Sequence, residues 1–440
     1  WEAQAELERA ANDDQPLVVS LLDYHKFFDS FDPRFYAKML KDMGVHHNFA
    51  TLFLDINTNA KRRIKIGNTY GRELNTYNGI GQGDPKSLFV ALLYITVQFR
   101  LLDDEHPEIT KGAVVDDRNL RGKPETMESA LKCTFQFDEA AGHLTNPKKW
   151  GLTGANKSAK SWCEQYEFKG ERPTVHTRHI LVGDVLTANG TGNNSLANKR
   201  AAHAIRGAVI ASRAQADASA RRYALKALAI PRLLPSTVWT RPAAAALIKL
   251  RTLMTDTIMG RHRQLRCPEV VMAILGDPIS DDPWGAMVAH SLLSARRILR
   301  KDEARLDGFL GYIADMIKEG EVPQNPADGP MRGVMRAIED LHLKGKVDVK
   351  EQQFNLQRED GPPIDLFHRS QEAVKSAIRE WVRITILEQL SEQCGGTNPR
   401  RKDMAGISKH INVSATKSLM RIKESPIHNI TAKHYRQLMA

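Results

Sequence analysis

The sequence predicts an α+β fold. An antiparallel sheet packed on helices occupies the first part of the chain, a helical segment follows, and the C-terminal region is all-α. Three observations carry this expectation. Two short apolar runs, residues 17–22 and 113–115, end on acids: Asp23 after the first, Asp116 and Asp117 after the second. Their length is that of buried strands. Segments with apolar residues at helical spacing separate and follow them. From Ser195 to Ala229 the composition turns to Ala, Arg and Lys, and the chain beyond reads as helical.

In chain order, residues 1–11 read as a helix, with Trp1, Ala5, Leu7 and Ala11 among acids, broken by Asn12-Asp13-Asp14. Asp32 is an N-cap, Pro33 the first helical residue and Gly44 the stop of a helix. That helix presents Phe35, Tyr36, Met39, Leu40 and Met43 to a core. A second helix covers 46–57. Residues 61–66 and 69–74 flank Gly67-Asn68 as a β-hairpin. Its Lys61, Arg62 and Arg63 either touch a nucleic-acid backbone or form a solvated basic edge. Gly79, Gly81 and Gly83 permit positive φ and close approach of a ligand to the main chain, with Gln82 as the polar side chain in reach. The helix after them, 87–102, is apolar nearly all round and expected to be buried.

Residues 113–115 deliver Asp116 and Asp117 to a tight turn, a helix covers 124–141 and a strand 144–152. Residues 151–158 approach a phosphate-binding P-loop, but Asn156 stands where glycine is needed, which excludes it. Residues 175–186 alternate around Gly183 as a small sheet. Lys199, Arg206 and Arg213 recur every seven residues and share one helix face, either along a nucleic-acid backbone or solvated. Pro231 and Pro235 end that region. Further helices run over 282–300 and from a cap at Ser370 to Gly395-Gly396, the latter with Val374, Ala377, Ile378 and Trp381 on one face. Residues 323–330 read as a linker, and 399–402 are a short basic run.

A chain of 440 residues is too long for one core, so two or three domains are expected. Its 63 basic and 52 acidic residues give a net charge of +11. That favours a polyanionic partner, nucleic acid before an anionic membrane surface. Cys133, Cys163, Cys267 and Cys394 are scattered, which excludes a close-spaced zinc site or a small disulfide scaffold, and they read as reduced buried thiols. No signal peptide is visible, and the mostly apolar stretch 88–99 is too short to span a bilayer. The expectation is an intracellular protein, in nucleus or cytoplasm, with no membrane partner.

The acid strand at Asp23, the Gln82-Gly-Asp-Pro85 loop, the Asp116-Asp117 turn and Asn146-Pro-Lys-Lys149 come in that order. Together they resemble the palm of reverse transcriptases, most closely those of non-LTR (LINE-type) retrotransposons, over residues 15–190. The resemblance implies a right-hand polymerase palm over 1–190 with most of the fingers missing. A helical thumb over 191–268 and a helical C-terminal region over 269–440, of unassigned role, complete the chain. It implies an RNA-directed DNA polymerase with an RNA template, a DNA primer and deoxynucleoside triphosphates as partners. Two Mg2+ ions, with Mn2+ as a substitute, would be held by Asp23 and Asp116, assisted by Asp117 and by the Tyr24 carbonyl. Phe28 would be the aromatic gate that excludes a 2′-hydroxyl. Gly81, Gln82, Gly83, Asp84 and Pro85 would face nucleotide and template, and Lys148 or Lys149 would protonate the leaving pyrophosphate. Asp29 would be structural.

Some residues depart from that family's pattern. Val114 replaces an aromatic two positions before the paired acids, and Pro85-Lys86-Ser87-Leu88 replaces Pro-Leu-Ser-Pro. The strand after the acids reads Arg118-Asn119-Leu120-Arg121 where apolar residues are usual. Two other readings stand beside the polymerase. One is a viral RNA-dependent RNA polymerase, opposed by the Gln-Gly-Asp-Pro loop and Phe28. The other is a non-catalytic nucleic-acid-binding scaffold built on a decayed polymerase, favoured by the altered strand and the missing fingers.

Overall fold

A computed structural model describes residues 1–59, 61–75, 78–146, 149–181, 184–188, 194–215, 218–235, 237–259, 267–301, 303–319, 329–359 and 361–394. The chain divides into two compact units. One is Arg9–Asn189 with Glu2, and the other is Gly190–Ala440 with Trp1 and Ala3–Glu8. Helix α1 (Glu2–Asn12) is divided between them. The regions read as 191–268 and 269–440 fall in the same unit.

The first unit continues with β1 (Val18–Leu22), α2 (Phe27–Ser30), α3 (Pro33–Asp42) and α4 (His47–Thr58). The hairpin β2 (Arg62–Ile66) and β3 (Thr69–Leu74) follows, then α5 (Pro85–Glu105) and a second hairpin, β4 (Thr110–Val114) and β5 (Asp117–Gly122). Helix α6 (Pro124–Ala140), β6 (Gly151–Gly154), α7 (Lys157–Gln165), β7 (Thr174–Val175) and the hairpin β8 (Arg178–Leu181) and β9 (Asp184–Thr187) complete it. Strand β1, Val-Val-Ser-Leu-Leu, is buried along its whole length. It lies at the centre of a five-stranded sheet of order β4-β5-β1-β6-β7. Its pairings with β5 and β6 are antiparallel, and the β6–β7 step is parallel. One core joins Val18, Leu22, Leu120 and Leu152 to Met127 and Leu131 of α6. A second gathers Tyr24, Phe27, Phe31, Tyr36, Phe53 and Tyr94. Full burial of each such side chain contributes about 1.5–3 kcal/mol.

The second unit begins with α8 (Ser195–Ser212), α9 (Ala218–Leu228), α10 (Ile230–Leu233), α11 (Ala244–Met259) and α12 (Pro268–Val270). It goes on through α13 (Pro283–Leu299), α14 (Glu303–Glu319), α15 (Pro330–Asp340), β10 (Lys344–Asp348), β11 (Gln353–Gln357), β12 (Ile364–Asp365) and α16 (Gln371–Cys394). Helix α8 turns an alanine face, Ala201, Ala204 and Ala208, onto Leu225, Leu250 and Met254. A Cβ on Gly207 would lie 2.2 Å from the Leu228 carbonyl oxygen, so only glycine permits that approach.

Several expectations hold. Asp32 Oδ1 accepts from Arg34 N at 2.9 Å with Pro33 in the first turn, and Gly44 closes α3 at φ +79°. The 61–74 hairpin forms. Asn156 caps α7, accepting from Ala159 N at 2.9 Å, and a Cβ on Gly154 would meet Lys160 N at 2.4 Å. This segment is helix–strand packing rather than a phosphate cradle.

Others are corrected. The C-terminal region is not all-α, because β10, β11 and β12 form an antiparallel sheet. Phe354 and Leu356 are buried on β11 and alternate with Gln353, Asn355 and Gln357, the period-two pattern of a half-buried strand. The strand expected over 144–152 shortens to β6, and Leu144 is exposed. On α3, Tyr36 and Leu40 are buried, while Phe35 and Met43 lie on the wet side. Helix α5 is not buried all round, since Leu88, Phe89 and Leu92 are exposed. It is longer than its apolar run. Among the described residues it is the one helix long and apolar enough by length and composition to cross a membrane, and it packs on α6 with Val90, Tyr94, Gln98 and Leu102 buried. All four cysteines are free, with Cys133 only half-buried. The expected linker, Gly183, Gly395-Gly396 and the basic run at 399–402 fall wholly or mostly outside the described residues.

Candidate active site

Asp23 directly follows β1, and backbone bonds hold it there. Its carbonyl accepts from Asn146 N at 2.8 Å, and His25 N donates to the Leu144 carbonyl at 2.8 Å. The segment that fails to become a strand thus clamps the end of β1. Three residues beyond Asn146, Lys149 Nζ reaches Asp23 Oδ2 at 2.6 Å. Lys148 lies outside the described residues.

The second acid pair arrives on the β4–β5 hairpin. Its turn is tight enough to put Val115 at φ +58°, which is strained for a β-branched residue. Val114 pairs with Asp117, and Arg118 pairs with Leu22, so the start of β5 stands beside the end of β1. The electrostatics follow from that register. Burial raises the Asp117 carboxyl above its usual range, and the charges of Asp116 and Asp23 raise it further, while Lys149 opposes them. The Lys149 ammonium is stabilised first by its hydrogen bond to Asp23 and then by the charges of all three acids. Asp23, Asp116, Asp117 and Lys149 therefore form one charge cluster. Lys149 is largely exposed, so solvent screens its share.

The glycine loop is fastened to α2. Gly79 N donates to the Phe31 carbonyl at 2.7 Å and Ile80 N to that of Phe28 at 2.9 Å. Gly79 sits at φ +95°, where a Cβ would lie 3.2 Å from Asp29 Cα. Gln82 and Gly83 form an exposed turn. Asp84 accepts from Lys86 N at 3.0 Å and so caps α5, with Pro85 in its first turn. The cap bond holds the Asp84 carboxyl below its usual range. Half-buried Phe28 stands beside this loop and beside Phe27 and Phe31. On the β2–β3 hairpin Lys61 and Arg63 share Glu73, at 3.5 and 2.5 Å, which offsets one of their two positive charges. Lys199, Arg206 and Arg213 are exposed along α8 and its C-cap.

No protein-family model matches the chain, and no curated protein matches it in sequence.

Beneath the acid cluster lies a polar network in the core. Arg118, about 1% exposed, forms a two-pronged ion pair with Asp138 of α6, at 2.8 and 3.1 Å. Asp138 Oδ1 also accepts from Tyr94 at 2.6 Å, Gln98 at 2.7 Å and Tyr24 at 3.0 Å. The guanidinium stacks on the Tyr24 ring at 3.8 Å. Arg118 follows Asp117 in the chain and Tyr24 follows Asp23, so this one network fixes the neighbours of both acids. From its sequence alone, Arg118–Arg121 looks like an altered strand. A usable signal was present: Asp138 continues the apolar stripe Met127, Leu131, Thr134 of α6, and Gln98 continues that of α5. A carboxylate in a core stripe demands a buried partner.

Next to the network, His143 places one ring nitrogen 2.7 Å from Ser30 Oγ and the other 2.7 Å from the Tyr36 hydroxyl. Burial, helped by the Arg118 charge and opposed by Asp138, lowers its pKa to about 4. The unfolded chain takes this proton near pH ~6.5, where the folded chain refuses it. Stability is therefore full above that value and falls as the pH drops toward 4, by on the order of 2–3 kcal/mol. Urea midpoints compared at about pH 7.5 and about pH 4.5 check this, and His143→Asn is expected to remove most of the difference.

Among the described residues no group of three or more His, Cys, Asp or Glu side chains is arranged to hold a metal ion. Mg2+ in phosphoryl-transfer sites is typically held by one or two carboxylates, with waters and substrate phosphates as its other ligands. The hard oxygen donors present, and the repulsion that already raises Asp117, fit such an ion.

Proposed function

We propose that the first unit is the palm of an RNA-directed DNA polymerase of retroelement type, extending a DNA primer on an RNA template with deoxynucleoside triphosphates. The carrying observation is the convergence of Asp23, 93 residues from Asp116 in sequence, with Asp116, Asp117 and Lys149 in one charge cluster. Two bound Mg2+ ions would supply activation of the primer 3′-hydroxyl and neutralisation of the leaving pyrophosphate. Asp23 and Asp116 are the carboxylates on which they would be held. Asp117 adds negative charge behind them. Lys149 would leave Asp23 when that charge is otherwise neutralised and turn its ammonium toward the pyrophosphate. Phe28, held against the glycine loop, would close the space under the sugar.

Magnesium-dependent primer extension on an RNA template tests the reading. Phe28→Ala is expected to raise ribonucleotide incorporation at least tenfold relative to deoxynucleotides, read in single-nucleotide extension. An unchanged ratio removes Phe28 from the gate. A second reading, a nucleic-acid-binding scaffold, is favoured by the ion pair that occupies Asp23. It expects primer–template binding that is indifferent to magnesium, with no extension.

A further inference from the structure

The end of α13 and the start of α16 enclose a cleft of about 540 Å3. Arg296, Arg297, Arg300, Lys301 and Lys375 line it, with His290 at one end, and among the described residues no carboxylate does. Arg296 is buried and spent on the wall, donating to the carbonyls of Leu366, Phe367 and Arg369. Arg297, Arg300 and Lys301 are exposed and Lys375 is half-buried. Among the described residues none of these four has a carboxylate within ion-pair distance.

Elsewhere in the unit, by contrast, Arg222 meets Asp281, Arg251 meets Asp282 and Arg379 meets Asp277. Asp365 and Glu372, the acids whose charges act on Arg296, are not among the residues that line the cleft. Asp365 accepts instead from the N–H groups of Phe367 and His368. A helix C-terminus favours cations, which accounts for those in the last turn of α13. It does not account for Lys375, near the N-terminus of α16, where the helix dipole adds positive charge to positive charge. Burial and the neighbouring Arg300 also depress the basicity of Arg296, as expected of a cluster short of negative charge.

The geometry points to a binding site in this cleft for the backbone phosphates of a single-stranded nucleic acid. Exposed arginines present planar donor forks matched to phosphate oxygens. The lined stretch of α13 from His290 to Leu299 is about 14 Å long at 1.5 Å per residue, with Arg300 and Lys301 just past its end, more than a single phosphate group spans. The site rests on the polymerase reading for its purpose, but binding is measured without catalysis.

The test is fluorescence anisotropy with a short labelled single-stranded RNA and the full chain. Arg297→Glu with Arg300→Glu alters the cleft, and Lys344→Glu with Lys346→Glu on β10 is a control of equal charge change in the same unit. Lys301→Glu is a second, independent cleft variant. The cleft double variant is expected to bind at least tenfold more weakly, with a salt slope shallower by about 1.4, which is two phosphates at ~0.7 each. The control is expected to change affinity less than threefold. Equal loss in the control, or unchanged affinity and slope in both cleft variants, overturns the proposal. Inorganic tripolyphosphate competing as well as the RNA also overturns it, in favour of a small-phosphate site. Failed primer extension with this RNA binding intact would remove the polymerase reading and leave the cleft. Extension in the absence of a cleft effect would remove only the cleft.

Discussion

Asp138→Ala is expected to lower the stability of the first unit by about 3–5 kcal/mol, the cost of leaving a buried charge unpaired. Arg118 would lose both prongs of its ion pair, and Tyr24, Tyr94 and Gln98 would lose a shared acceptor. Typical domains hold only about 5–15 kcal/mol in total, so much of the unit's margin disappears. Hydrogen exchange of the β1 and β5 amides reads this locally, without averaging over the second unit. Arg118→Met combined with Asp138→Leu is expected to cost much less than the single change, because no charge is then stranded. The remaining loss belongs to the tyrosine and glutamine donors. If the double variant were as unstable as the single one, the ion pair would not be what the core depends on.

Asp116→Ala combined with Asp117→Ala is expected to reduce magnesium-dependent primer extension by about a thousandfold or more. Loss of several kcal/mol of charge stabilisation at a tenfold rate change per 1.36 kcal/mol gives that scale. Neither residue takes part in the buried Arg118–Asp138 network, so the fold should survive. Removing two acids also leaves binding to RNA intact or slightly tighter. Loss of extension with retained binding is therefore the informative pattern. Persistent extension in the double variant would move the chemistry away from this turn. Asp116→Asn alone should lower the pKa of Asp117, because one of the two charges that raise it is gone. The titration is readable by NMR of the labelled aspartates.

Legibility followed local physics. The cap at Asp32, the hairpin around Gly67-Asn68 and the acid-ended strand β1 were readable, because side chain and backbone nearby decide them. The approach of Asp23 to Asp116 and Asp117 was reachable only through the ordered motifs, since pairing register is a long-range property. What was misread had its cause at a distance. Leu144 to Asn146 look like a strand, but their pairing is a single antiparallel bridge, Thr145 to Tyr24, that does not extend into a ladder. The arginines of β5 look like damage until Asp138, twenty residues on, is placed against them. Strand β11 alternates as a strand should, but over only five residues with two apolar positions, Phe354 and Leu356, too short a run to stand out in a region otherwise read as helical.

Glu8 of α1 accepts from Met331 N at 3.0 Å and from Arg332 N at 2.7 Å, and so caps the start of α15 across 323 and 324 residues of chain. A Cβ on Gly329 would lie 2.1 Å from the Glu8 carboxylate, so the two segments fit tightly. The second unit is thus discontinuous in sequence, with the whole first unit as an insertion. A fragment beginning at residue 190 would be missing a cap and the Ala5 contact to its core. During synthesis, residues 3–8 leave the ribosome long before α15, and their half of the helix has no partner until α15 follows. Dissection of this protein should therefore proceed by permutation or by supplying α1 as a peptide, rather than by cutting at the boundary.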